Sequence, residues 1–228
     1  MRFVFPEKTL DDFVTVFLSE RIEKNATLCA DEDNRIVLGR PVKKGTMDKC
    51  PTISKDEMEC PAGTRPVGTI HSHVYEHDER PPFDKGFSNE DVFGFVKEAL
   101  NKRVDLPYLG CVISPEYKNN SLSGFRVDCE YYKPFTEEDI KKMPNGIVHM
   151  EDDRVVREET FSDEQIEWFK KGGVPTGMLG SIGFMVAMAN LKMGLKERGF
   201  MSSDSFVLPV RGRYIDLEEK QLRFDGGE

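Results

Sequence analysis

The sequence predicts a mixed α/β protein, and three observations carry that prediction. Short β-rich runs alternate with amphipathic helical runs through the first 135 residues. Polar stretches such as Asp31–Asn34 separate the strands as turns do. From Thr136 the texture becomes acidic and helical, which places a domain boundary there and divides the chain into 1–135 and an extension, 136–228.

Taken in order, Arg2–Phe5 reads as a short strand. The run Thr9–Ile22 follows with Leu10, Phe13, Val14, Phe17, Leu18 and Ile22 at helical spacing, Thr9 as N-cap and Asp12 three residues on. Ala26–Ala30 and Arg35–Val42 read as a hairpin. Lys43–Pro66 is rich in Pro, Gly, Cys and charge, and reads as loop with short extended pieces. Strand character returns at Arg65–His73, where Val67, Thr69, His71 and His73 alternate with Gly68, Ile70 and Ser72. The two histidines therefore project from one face. After a long loop, Ser88–Lys102 reads as a helix with Val92, Phe93, Val96, Ala99 and Leu100 inward. Tyr108–Ser114 and Leu122–Tyr132 are two further strands. The extension reads as largely helical, over Thr136–Met143, Ser162–Gly173 and Val174–Phe200, with Trp168 in its core. Ser205–Leu217 supplies one or two late strands that pair back onto the sheet or the extension.

A chain of 228 residues buries a sizeable core, and 38% hydrophobic with 32% charged residues suits a soluble globular protein. The net charge of −9 argues against a phosphate-tracking surface, so no nucleic-acid partner is expected. No signal-like segment opens the chain, and the apolar run Met178–Leu191 is too short to span a bilayer. A cytoplasmic protein with no membrane partner is the expectation. Five cysteines without a C-x-x-C spacing indicate neither a disulfide framework nor a zinc ribbon; a Cys50–Cys60 pair or metal site is the alternative, and reduced bystanders are the favoured reading.

The chemistry centres on His71 and His73. Imidazole and carboxylate are good zinc ligands, and a catalytic zinc keeps three protein ligands with water in the fourth position. Asp84 and Asp91 compete for the third place. Ser88 is positioned to cap the following helix and to place Asp91 in its first turn, where the helix dipole favours an ionised carboxylate. Asp84, between Pro82 and Gly86, has no such support. His77 with Glu76, Asp78 and Glu79 reads as a solvated acidic loop, and Gly226–Gly227 as a frayed end. The H-x-E and P-C-x-x-C elements of zinc deaminases are absent, as is H-E-x-x-H.

These motifs together resemble the JAMM (MPN+) zinc metalloproteases, whose signature is an upstream Glu, then H-[ST]-H, then S-x-x-D opening a helix. The matching residues are His71-Ser72-His73, Ser88-Asn89-Glu90-Asp91 and, upstream, Glu23, Ala26 and Leu28 in the form E-x-x-[GA]-x-L. The resemblance covers residues 1–132. It departs from the family in the 17 residues separating His73 from Asp91, a spacer long enough that a rigid match selects Asp84 instead. Val74 stands where Pro is common, and Phe87 replaces the Pro before Ser88. The extra residues read as a loop insertion, which costs little chain entropy.

The resemblance implies an MPN fold, a curved mixed sheet packed between helices. It implies one Zn2+ on His71, His73 and Asp91, Glu23 as general acid/base with Glu20 as the neighbouring alternative, and Ser88 at the oxyanion. The implied activity is hydrolysis of peptide or isopeptide bonds in protein substrates, after the C-terminal glycine of a ubiquitin-like modifier or sulfur-carrier protein. The other reading, a non-catalytic MPN-like scaffold, is expected to have lost these residues. Specificity is expected to reside in loops 43–66 and 74–87.

Overall fold

The computed structural model describes residues 1–47, 49–74, 87–104, 107–171 and 182–224. Asp84, the acidic loop around His77 and the terminal Gly-Gly lie outside the described residues. The chain is mixed α/β and forms two units, one of Met1–Phe87, Pro107–Tyr131 and Ser202–Glu228, the other of Ser88–Leu106 and Tyr132–Met201.

Strand β1 (Arg2–Phe5) leads into α1 (Glu7–Phe17), which begins two residues before the expected Thr9 cap because Pro6 is its N-cap residue. Thr9 lies inside the first turn, buried, and its hydroxyl donates to the Ile36 carbonyl at 2.5 Å. Leu10 and Phe13 are fully buried, and Phe17 nearly so, as their helical spacing requires. Strands β2 (Lys24–Ala30) and β3 (Ile36–Lys44) form the expected antiparallel hairpin. A single 3-10 turn, Lys55–Glu57, interrupts the loop before β4 (Arg65–Ser72). Helix α2 (Asn89–Leu100) precedes β5 (Tyr108–Lys118) and β6 (Ser121–Tyr132). Asn119 and Asn120 join these two strands at φ 54° and 58°, a conformation Asn tolerates.

The second unit continues with α3 (Glu137–Lys141), the antiparallel strands β7 (Pro144–Glu151) and β8 (Arg154–Thr160), α4 (Asp163–Lys171) and α5 (Ile182–Glu197). The hairpin corrects the expectation of a largely helical extension. Its turn is Asp152–Asp153, with φ 46° and 61°. Aromatic packing holds this unit: Phe93 meets Phe169 and Phe184 with ring centroids 5.6 and 5.8 Å apart, and Phe95 stacks on Tyr132 at 3.7 Å. Trp168 is half-buried and lines an apolar cavity rather than filling the core.

After α5 the chain forms β9 (Met201–Arg211), β10 (Tyr214–Ile215) and β11 (Lys220–Arg223), so the last segment rejoins the first unit instead of staying with the extension. The main sheet has the order β10-β9-β6-β5-β4-β2-β3, and β1 pairs with β11. Phe3, Phe5, Ala26, Leu28, Ile70, Leu109, Val127, Leu208 and Leu222 share its core cluster. Gly68 permits the close approach of β5 to β4, since a Cβ there would lie 1.7 Å from the Leu109 carbonyl oxygen.

The cysteine expectation is overturned. Cys29 is bonded to Cys60 and Cys111 to Cys129, with Cα–Cα distances of 5.8 and 4.1 Å, and Cys50 is in neither bond. The second pair joins neighbouring strands β5 and β6. No helix among the described residues is long and apolar enough to cross a membrane.

Candidate metal centre

Strand β4 is held from both sides where it carries the histidines. It runs antiparallel to β2, with Asn25 opposite His71, and parallel to β5, with His71 beside Val112. The ladder closes beyond His71 through the Lys24 amide, which donates to Ser72 Oγ at 2.9 Å, and the His73 amide, which donates to the Ile113 carbonyl at 3.0 Å. The β2–β4 pairing ends at Asn25–His71. Opposed residues of an antiparallel pair share a face, so Asn25 and His71 project to the same side, and Glu23 stands just before the start of β2. The Glu23 backbone continues the ladder toward the β3 side, donating to Thr46 at 2.7 Å and accepting from Gly45 at 2.8 Å.

The alternation expected of His71 and His73 brings their rings together. Their Nε2 atoms are 3.1 Å apart and their centroids 4.9 Å. Two zinc–nitrogen bonds of about 2.0–2.1 Å at a tetrahedral angle require a nitrogen–nitrogen separation of about 3.3 Å. The imidazole pair thus fits a metal nearly as it stands. Asn25, opposite His71, keeps a buried Oδ1 with no hydrogen-bond partner among the described residues, while its Nδ2 donates to the Pro51 carbonyl at 2.9 Å. Phe87 sets its ring edge-on to His71, with centroids 6.1 Å apart. Its ring also lies over Gly110, where a Cβ would approach to 3.4 Å.

Glu20 and Glu23 differ in environment. Glu20 is ion-paired to Lys44 at 2.8 Å and to Lys24 at 3.0 Å, and these hydrogen bonds, that of Lys44 first, hold its carboxyl below the ordinary glutamate value. Lys24 is only 3% exposed, and its ammonium also donates to the Val16 carbonyl at 2.6 Å and Ser19 Oγ at 3.0 Å. Glu20 therefore serves as the counter-ion of a buried lysine.

In the second unit Ser88 caps α2 as expected. Asp91 Oδ2 accepts from the Ser88 amide at 2.8 Å and from its hydroxyl at 2.9 Å, while the Asp91 amide donates to Ser88 Oγ at 3.1 Å. This reciprocal cap spends the single Ser88 proton on one carboxylate oxygen and fixes the side chain at the start of the helix. In the first unit, a cavity of about 320 Å³ lies against His73, walled by Phe17, Leu18, Tyr117 and Phe125, with Glu20 and Arg21 among its polar groups.

Asn25 and the strand-closing role of Ser72 escape sequence reasoning. Only the β2–β4 register reveals them, and no local signal marks it. No known protein family's model matches the chain, and no curated protein matches it. Among solved structures, a JAB1/MPN domain protein from Archaeoglobus fulgidus is similar over 57% of this chain and 88% of its own, with 17% identity and a TM-score of 0.28.

Proposed function

We propose that the chain is a zinc-dependent amide hydrolase of the JAMM type with an MPN fold, in which His71, His73 and Asp91 hold one zinc ion. The observation that carries this reading is the 3.1 Å convergence of the two imidazole Nε2 atoms at the end of a strand paired on both sides. A zinc ion bound there supplies a Lewis acid and lowers the pKa of its water. Glu23, just before the strand that pairs with the histidine strand, takes the proton of the attacking water and returns it to the leaving amine. Asp91 contributes the carboxylate oxygen that Ser88 does not engage. Ser88 turns its hydroxyl proton from Asp91 to the developing oxyanion, giving up one cap hydrogen bond.

The substrates in this reading are peptide or isopeptide bonds after the C-terminal glycine of a ubiquitin-like modifier or sulfur-carrier protein, with neither nucleic acid nor membrane as partner. The cavity against His73 supports it by offering room beside that histidine for substrate residues. Metal analysis of the purified protein tests the ligand set. One zinc per chain is expected in the wild type and in Asp84→Ala, with loss in His71→Ala and Asp91→Ala. Retention in Asp91→Ala with loss in Asp84→Ala would move the third ligand, and a wild type that takes up no zinc when saturated with it would defeat the proposal.

A further inference from the structure

The second unit holds a cavity that the proposed chemistry does not use. It measures about 340 Å³ and lies between the base of the β7–β8 hairpin, α4 and the start of α5. Phe161, Phe169, Phe184 and Met188, each at most 5% exposed, form its floor, and Ile147 and Val186 stand exposed at its mouth. The walls are fixed by contacts within the unit. Phe93 meets Phe169 and Phe184, and Phe161 meets Phe169 with ring centroids 5.9 Å apart. Asn145, 3% exposed, ties both strands to α4: its Nδ2 donates to the Thr160 carbonyl at 3.0 Å and to Gln165 Oε1 at 3.3 Å, and its Oδ1 accepts from the Ile147 amide at 2.8 Å. Gly146, at φ 89°, lets the hairpin close on α5, since a Cβ there would lie 2.5 Å from both Asn190 Nδ2 and Val186 Cγ1. Protein interiors are otherwise close-packed, so a pre-formed apolar cavity of this size has the character of a ligand site.

The lining defines the chemistry of the ligand. Phe93, Phe161, Trp168, Phe169 and Phe184 offer ring faces and edges, which a planar aromatic group matches. No charged side chain lines the cavity among the described residues, so an ion entering it would lose hydration without gaining a counter-charge. The lining side-chain groups not yet hydrogen-bonded are donors. Gln165 Oε1 already accepts from the Ser162 amide at 2.9 Å and from Asn145, which leaves its Nε2, and Trp168 adds its indole N–H. We propose that this cavity binds a small, neutral aromatic molecule carrying a carbonyl-type oxygen, which accepts from Trp168 and Gln165.

The test is a titration of the full chain with prodan, a neutral naphthyl ketone whose emission shifts to the blue in apolar surroundings. Saturable binding at one site per chain is expected, with a dissociation constant of about 1–100 μM. Emission from Trp168, the sole tryptophan, should be quenched as the site fills. Naphthoate, of similar size but anionic, should bind about tenfold more weakly or worse. Ala187→Leu fills part of the cavity. Gln165→Glu keeps the oxygen that Ser162 and Asn145 use and replaces the donor with an anionic acceptor. Each should weaken prodan by about tenfold or more, with far-UV circular dichroism unchanged. Should Ala187→Leu fold poorly, Gln165→Glu still decides. Prodan that fails to saturate up to its solubility limit overturns the proposal, as it would if the cavity took only an apolar side chain of a protein partner. Saturable binding indifferent to both variants also overturns it, because the site then lies elsewhere, and naphthoate bound as tightly as prodan overturns the neutral class of ligand.

Discussion

Removing the Cys29–Cys60 bond should destabilise the protein by an amount that follows from the loop it closes. The cysteines are separated by 31 residues, and the loop-closure relation gives about 3.7 kcal/mol at room temperature; the 18-residue separation of Cys111 and Cys129 gives about 3.2 kcal/mol. With a urea dependence of about 2–3 kcal/mol/M, the double variant Cys29→Ala/Cys60→Ala should unfold at a midpoint about 1–2 M lower. The assay is urea unfolding followed by far-UV circular dichroism, which reports the strands of the first unit, beside a thiol count on protein denatured without reductant. One reactive thiol per chain, Cys50, is expected. Cys29, Cys111 and Cys129 are at most 1% exposed, so reductant should attack the native protein only as fast as it opens. Five reactive thiols in the protein as purified, or an unchanged midpoint, would refute the reasoning. Paired cysteines also belong to oxidising compartments and to the cytoplasm of hyperthermophiles, so the thiol count bears directly on the cytoplasmic expectation.

Two further predictions concern carboxylates. Glu23→Gln should lower the hydrolytic rate by about 10²–10⁴-fold with zinc retained, while Glu20→Gln leaves the rate near wild type; a loss confined to Glu20→Gln in single-turnover assays would transfer the general-base role. Hydrogen bonds from Lys43 and then from Ser54 hold the Glu57 carboxyl at about 2, against 4.5 for an ordinary glutamate. Because the folded value is the lower one, its stabilisation is complete above the unfolded value and is lost as pH falls from 4.5 toward about 2. A carboxyl NMR titration with its midpoint near 4.5 would contradict this.

What the sequence reveals is what neighbouring residues decide. The cap at Ser88 and Asp91 needs only a three-residue spacing, and the convergence of His71 and His73 needs only strand alternation. The β7–β8 hairpin was also legible, since two aspartates stand between Met150 and Arg154, but the acidic texture around it favours a helical reading. The disulfides pair cysteines brought together by the sheet, 31 and 18 residues apart, and no local spacing announces them. The return of β9 to the main sheet is equally long-range. The contrast between Glu20 and Glu23 depends on Lys44, which approaches from the far end of β3. In each case the deciding partner is distant in sequence, so periodicity has no purchase on it.

The tight passage of β5 over Gly68 sets a parity rule for the histidine strand. With a backbone carbonyl filling the space of a side chain at that position, Gly68 acts as a fixed origin from which the residues of β4 are counted. His71 and His73 lie three and five residues beyond it, both odd, and so emerge together on the opposite face from Gly68. Inserting one residue between Gly68 and His71 would make both counts even and turn both rings to the other side of the sheet, away from Asn25. Inserting two would keep the face and move the pair about one strand repeat along. The stretch from Gly68 to His73 therefore tolerates length changes in pairs, a constraint that composition alone would never suggest and that falls on spacing rather than on any one side chain.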